Sequence, residues 1–378
     1  MTQTTRRKIE QLRICAEQEV EAEEATSCFA DVRLVHVALP EIDKEEIELK
    51  TEFLGFSLNY PIMIASMTGG HPETKRINAV LAEAAETLSV GIGVGSQRAA
   101  LEGVGSQEDS FRVVRDTAPN AFVYANLGAP QLKEFGVAGV ERVLEMVDAD
   151  AVAIHLNFLQ EAIQHEGDVD AGGCLAAIKE VCEAVKKPVI AKETGAGISY
   201  GVAKKLHEAG VAAIDVGGWG GTSLAAAEIY RAKAEGDELS EHLGRLFGWD
   251  WGIPTVESIL ECCAALSAPA PAPAPVPVST PVPVVATGGI RTGLDAAKSI
   301  ALGASLCSAA LPFLKPAMKS AEEVVKKITE MGEELKVAMF LTGCRTTAEL
   351  KGAEVVLTGK ARETAEQRGF LRSLLRSP

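Results

Sequence analysis

Eight short apolar runs recur along the chain, each followed by a stretch in which apolar residues return every three to four positions. The runs are PIMIAS (61–66), VGIGVG (90–95), AFVYAN (121–126), AVAIHL (151–156), PVIAKE (188–193), AAIDVG (212–217), VVATGG (284–289) and SLCSAA (305–310). Between them lie RINAVLAEAAETL, FRVVRDTA, VERVLEMV, CLAAIKEVCEAV, SYGVAKKLHEAG and TVESILECCAAL. Short apolar runs read as strands, and the helical period between them predicts βα units in a parallel sheet.

Eight such units predict a closed (β/α)8 TIM barrel. The alternative is an open doubly wound sheet. Two features count against it: no GxGxxG follows the first strand, and polar residues stand at the C-terminal end of nearly every strand. Ser66, Ser96, Asn126, His155 and Lys192 stand there, with Gly289. In a barrel these positions share one mouth. The expectation is a single domain over 1–378, with a barrel core at about 58–312, an N-terminal extension and C-terminal helices over 313–378. An Ala/Pro-rich segment at 267–283 favours polyproline II, and predicts an exposed spacer opposite the mouth.

Charge and composition narrow the function. A formal net charge of −15 argues against binding to nucleic acid or anionic membranes. No apolar stretch is long enough for a transmembrane helix, and MTQTTRRKIEQ lacks a signal-peptide core, so a cytoplasmic location is expected. The eight cysteines have no zinc-ligand spacing and read as small buried residues in a reducing compartment.

The candidate chemistry lies in the loops after the strands. TGGIRTGLDAAK and SLCSAALP follow strands seven and eight, the usual phosphate site of this barrel, where glycines and helix N-termini meet an anion. Arg291 could add a charged hydrogen bond there. DVGGWGGTS (215–223) and ASMTGG (65–70) are further glycine-rich turns, and the three together suggest a large phosphorylated cofactor. Arg98 in GVGSQRAALE is either a clamp for a substrate phosphate or a surface arginine paired with a carboxylate such as Glu102. His155, Asn157, Gln160 and Glu161 are a dense polar cluster that needs partners or a ligand. Glu161 could hold Mg2+, which prefers oxygen ligands. Lys192 could form a Schiff base or pair with an anionic ring. Arg6, Arg7 and Lys8 either start a solvated helix or fold over a phosphate.

In this order the motifs resemble the type 2, FMN-dependent isopentenyl diphosphate isomerases, especially archaeal members. The resemblance rests on RK near the start, MTGG at 67–70, GVGSQR at 93–98, ANLG at 125–128, H-x-N-x-x-Q-E at 155–161, DVGGWGGTS at 215–223, WGIPT at 251–255 and TGGIRTGLDAAK at 287–298. It implies interconversion of isopentenyl and dimethylallyl diphosphate in isoprenoid biosynthesis, with FMN active when reduced, Mg2+, and NAD(P)H as reductant. It places the FMN phosphate at Gly289, Ile290, Arg291, Ala310 and Leu311. Ser66, Met67, Thr68, Ser96, Asn126, Lys192 and Thr222 would contact the rest of the flavin. The substrate diphosphate would meet Arg7, Lys8, Ser96, Gln97 and Arg98, with Asn157 and Gln160 nearby and Glu161 on the metal. Reduced flavin would donate the proton, Gln160 would orient the alkene, and His155 and Lys192 would tune the flavin's charge. A homo-oligomer, tetramer or octamer, is implied as well.

One departure stands out. The family opens on R-K-x-x-H, whereas this chain reads Arg7-Lys8-Ile9-Glu10-Gln11. The rival function on the same barrel is an FMN-dependent 2-hydroxy-acid oxidoreductase, which wants a histidine base and arginines after strands seven and eight. Only Arg291 is present there, and no histidine follows strand seven. An aldolase using Lys192 is a more distant rival.

Overall fold

A computed structural model describes residues 3–21, 27–103, 107–267 and 282–370, with side chains from residue 8 onward. Its centre is a closed barrel of eight parallel strands. They are β1 (Ile62–Ile64), β2 (Ile92–Gly93), β3 (Val123–Gly128), β4 (Ala151–Leu156), β5 (Val189–Glu193), β6 (Ala213–Asp215), β7 (Val284–Thr287) and β8 (Leu306–Ala309). Each pairs with the next, and β8 closes onto β1. Seven fall inside the apolar runs and β3 extends two residues beyond its own, and the open-sheet alternative is excluded by that closure.

Alternation along each strand sorts the core into two shells. Ile62, Ile64, Ile92, Val123 and Ile154 point outward into the layer between barrel and helices. Met63, Phe122, Tyr124, Ile190, Val285 and Leu306 point inward and fill the barrel floor. The floor is plugged by a hairpin, Thr51–Phe53 with Phe56–Leu58, which the hydrophobic pattern did not single out. Its turn residues Leu54 and Gly55 both have positive φ, as a two-residue type I′ turn requires. Phe53 meets Phe122 edge-on at 5.5 Å.

Both extensions are tied to the barrel and to each other. Val32–Leu34 pairs antiparallel with Val355–Leu357, a strand lying among the expected C-terminal helices. The long helix Ala321–Leu341 packs on Pro72–Leu88 and Gly293–Ala301. At the other end the helix Gln3–Glu17 lies along Leu224–Glu235. Most of the Ala/Pro-rich spacer, 268–281, lies outside the described residues.

The glycines of VGIGVG serve packing inside the barrel. A methyl group on Gly91 would sit 2.6 Å from Met63 Sδ. One on Gly93 would overlap the Tyr124 ring and Ser66 Oγ. Gly93→Ala should therefore lower stability by about 1–3 kcal/mol, the usual cost of overpacking a filled core. Urea denaturation checks this, and an unchanged midpoint would contradict the packing.

Candidate active site

All eight strands deliver groups to one cavity at the C-terminal rim. Ser66 and Met67 follow β1, Ser96 and Arg98 follow β2, and Asn126 lies on β3. His155, Asn157, Gln160 and Glu161 come from β4 and the helix after it, and Lys192 from β5. Thr222 follows β6, Gly289, Ile290 and Arg291 follow β7, and Ala310 and Leu311 follow β8. Lys8, Gln11, Leu12 and Cys15 of the N-terminal helix line the same cavity.

Strand register explains the convergence. Gly128 pairs with His155, His155 with Lys192, and Lys192 with Asp215, so four strands present one level of the barrel. Lys192 Nζ lies 3.2 Å from Asp215 Oδ2, and the two side chains are only 8% and 3% exposed. It also donates to the Glu193 carbonyl at 3.1 Å. Burial is the largest single influence and pulls the lysine down, but Asp215, Tyr124 and Glu193 together outweigh it and lift the amine above its ordinary value. A lysine held charged in this way is a poor Schiff-base nucleophile.

Hydrogen bonding also fixes the histidine. Asn126 Nδ2 donates to the Val94 carbonyl at 3.1 Å, which turns Oδ1 toward His155 Nδ1 at 2.8 Å. An amide oxygen only accepts, so Nδ1 carries the proton.

Two expected contacts are not brought to the cavity wall. Gln97 is fully buried: its Nε2 donates to the Val143 carbonyl at 2.9 Å, and its Oε1 accepts from Asn126 N–H at 2.9 Å. It braces Asn126 from behind, and its amide is spent on the backbone. Thr68 is buried behind the lining, where its carbonyl accepts from Gly95 N–H. The Arg7 side chain lies outside the described residues. Arg98 satisfies both readings of it, since it lines the cavity and pairs with Glu102 at 2.6 Å.

The phosphate end differs from expectation in one respect. The helix Gly293–Ala301 is closed by protein carboxylates: its own Asp295 accepts from the N–H groups of Arg291 and Thr292, both at 3.0 Å, and Glu334 of Ala321–Leu341 accepts from Gly293 N–H. Two carboxylates occupy the donors that an anion would use. What faces the cavity instead is the backbone at Gly288–Ile290 and Ala310–Leu311. The Arg291 guanidinium is paired with Glu21. Many of the glycines are there for loop packing. Gly288 and Gly289 have φ of +106° and +69°, a side chain at 289 would meet Gly220 O at 2.9 Å, and one at 221 would strike Gly289 N.

Several site groups carried no sequence signal of their own. Glu228, buried on Leu224–Glu235, accepts from Gln160 Nε2 and Gln11 Nε2, each at 2.8 Å. Its spacing to Arg231, three residues on, is the one cue available, and that pair forms at 2.5 Å. Thr287 and Ser308 also line the cavity. Glu193 Oε2 collects the N–H groups of Gly195, Ala196 and Gly197 and so shapes the loop after β5.

With this geometry in place, comparison with known proteins defines the class. A family model described as FMN-dependent dehydrogenase matches residues 2–120 and 141–357. The isopentenyl-diphosphate delta-isomerase of Methanosarcina mazei is 57% identical over 97% of this chain and 96% of its own length. That of Archaeoglobus fulgidus is 55% identical over 97% of this chain and 99% of its own. Among solved structures, a Pediococcus acidilactici lactate oxidase superposes with a TM-score of 0.64 at 17% identity, covering 94% of this chain and 93% of its own. A mandelate oxidase does so at 0.63 and 18%, covering 93% and 94%. At such identity these two share the fold. The chain belongs to the FMN-dependent dehydrogenase family, and within it to the group formed by the archaeal isopentenyl-diphosphate delta-isomerases.

The cavity fits a flavin nucleotide. Ser66 Oγ, Thr287 Oγ1 and Ser308 Oγ are buried and lack a partner among the described residues, as a wall for a polyhydroxylated ligand would be. A divalent cation fits less completely. No group of three His, Cys, Asp or Glu side chains converges among the described residues. Glu161 already accepts from Asn157 Nδ2, Gln164 Nε2 and Asp168 N–H, although Asn157 Oδ1 beside it is buried without a partner.

Burial is the largest influence on Glu193 and pushes its carboxyl up to about 7; the backbone N–H groups and Lys192 oppose this without cancelling it. Its ordinary value is 4.5. Between the two, folding takes up a proton, so this group's contribution to stability is complete below the lower value and lost as pH rises through the upper. Glu193→Gln should therefore flatten the fall in melting temperature between about pH 5 and pH 8. An identical pH dependence in both proteins would contradict the assignment.

Proposed function

We propose that the protein interconverts isopentenyl diphosphate and dimethylallyl diphosphate, with FMN in the rim cavity and a Mg2+ ion that Glu161 would help to hold. Near-full-length identity with archaeal proteins of that name carries the reading.

The chemistry adds a proton at one end of an unactivated alkene and removes one two carbons away. It needs an acid and a base at fixed positions in a dry pocket, and an anchor for the diphosphate. Bound in its reduced form, FMN supplies the acid–base group next to the alkene. Ser66, Met67, Thr222 and the backbone at Gly289–Ile290 and Ala310–Leu311 would hold the nucleotide, while Lys192 and His155 would tune its charge. Lys8 and Arg98 grip the diphosphate. Gln160 orients the alkene: its N–H group is committed to the Glu228 carboxylate, which leaves the amide oxygen for the ligand. Glu161 and Asn157 would hold Mg2+ through their oxygens, and the ion would supply charge neutralisation for the diphosphate. A reductant such as NAD(P)H keeps the flavin active with no net redox change.

The hydroxy-acid oxidase reading has little support, since Arg291 is tied to Glu21 and no histidine follows β7. The aldolase reading meets the Lys192–Asp215 pair. A cytoplasmic homo-oligomer is part of the proposal. Eight free cysteines suit a reducing compartment. Among the described residues no helix is long and apolar enough to cross a membrane. Leu239 and Leu246, one heptad apart on Glu238–Phe247, are exposed beside the likewise exposed Trp251, which supports self-association.

Anaerobic incubation with FMN, dithionite, Mg2+ and isopentenyl diphosphate should yield dimethylallyl diphosphate, and its absence would refute the reading. Gln160→Ala should cut turnover on the order of 100-fold, as expected for lost substrate orientation, while FMN still binds. Wild-type turnover would remove the role given to Gln160.

A further inference from the structure

The N-terminal segment is stitched across the mouth along the β6 loop and its helix. Tyr230 OH donates to the Glu19 carbonyl at 2.8 Å, Ser223 N–H to the Val20 carbonyl at 2.8 Å, and Glu10 lies 3.5 Å from Arg231. Those ties hold the outside of the cover. A further contact reaches inward. Glu228 Oε1 accepts from Gln11 Nε2 on the cover and from Gln160 Nε2 on the cavity wall, while Oε2 accepts from Arg231.

A carboxylate only accepts hydrogen bonds, so both glutamines must turn their N–H2 ends toward it. Their amide orientations are thereby fixed in opposition across one oxygen. Glu228 is only 2% exposed, so water does not replace either glutamine cheaply. Removing Gln11 leaves Oε1 with Gln160 alone among the described residues and lets the carboxylate rotate about Arg231, carrying the Gln160 amide with it.

We propose that Gln11 is a positioning residue: through Glu228 it couples the seating of the N-terminal helix over the mouth to the orientation of the Gln160 amide. This rests on the role given to Gln160 above and deepens it. It also gives a use to a position where the chain reads glutamine in place of the histidine of the R-K-x-x-H motif. A histidine ring N–H can donate to the same carboxylate oxygen, so the link tolerates that exchange.

The test is a double-mutant cycle on the FMN-loaded, reduced enzyme with Mg2+ and isopentenyl diphosphate. Gln11→Ala should lower kcat about tenfold with KM and FMN affinity nearly unchanged, the loss expected for one hydrogen bond to a charged group at the reacting site. In the Gln160→Ala background the same substitution should have no further effect, because the group it positions is gone. Gln11→His should restore kcat to within about threefold of wild type.

A role confined to holding the cover would give a different pattern. It would raise KM with kcat unchanged, or give the same loss in both backgrounds, and either result overturns the proposal. So does wild-type kcat in Gln11→Ala while Gln160→Ala is impaired, an outcome that leaves the role of Gln160 standing. Wild-type kcat in Gln160→Ala would overturn that role and this one with it.

Discussion

A lysine and an aspartate held 3.2 Å apart, both nearly excluded from water, set the terms for the rest of this structure. Two buried charges are tolerated only when each satisfies the other and neither can be reached by competing solvent. The parallel register of β5 on β6 puts Lys192 directly beside Asp215, and barrel closure keeps that level dry from below. The aromatic floor of Phe53, Phe122 and Tyr124 completes the seal. Above the pair the rim opens into hydroxyl, amide and backbone groups, several of them without a partner among the described residues. An ion pair at the base and polar groups on the walls suit a flat polar ring with a hydroxylated tail.

Layers of support surround this centre. Gln97 holds Asn126, Asn126 sets the tautomer of His155, and His155 lies next to Lys192 in register. On the other side Arg231 holds Glu228, which holds Gln160. Both chains run from a buried structural group to a group on the cavity wall, so the wall is pre-oriented before any ligand arrives. The same barrel carries hydroxy-acid oxidation in the lactate and mandelate oxidases, which shows how little the fold dictates chemistry. In this chain the loops hold a paired Arg291, no histidine after β7, and an amide held by a buried carboxylate after β4.

Much of this was legible in the sequence, because barrel strands are buried on both faces and announce themselves as apolar runs ending in a polar residue. His155 and Lys192 were found that way. Periodicity fails where a residue's role depends on which neighbour the fold supplies. Gln97 sits beside residues that do line the cavity, yet its side chain is drawn backward by the Val143 carbonyl, 46 residues away. Glu228 sits in AAAEIYR, an ordinary helical string, and acquires its role from Gln160, 68 residues away, and Gln11, 217 away. The helix after β7 looked open to an anion because Glu334, 41 residues from Gly293, approaches its N-terminus only once the chain is folded, whereas the Thr292–Asp295 capping box is local. Loop glycines were equally ambiguous, since loop-on-loop packing and ligand contact both demand them.

Where the flavin lies is the point on which all of this turns, and a crystal structure of the chain grown with saturating FMN addresses it most directly. Flavin density is expected within the rim cavity, with the phosphate against Gly289–Ile290 and Ala310–Leu311 and the ring over the Lys192–Asp215 pair. Flavin bound elsewhere, or a rim cavity holding only solvent at saturation, would contradict it.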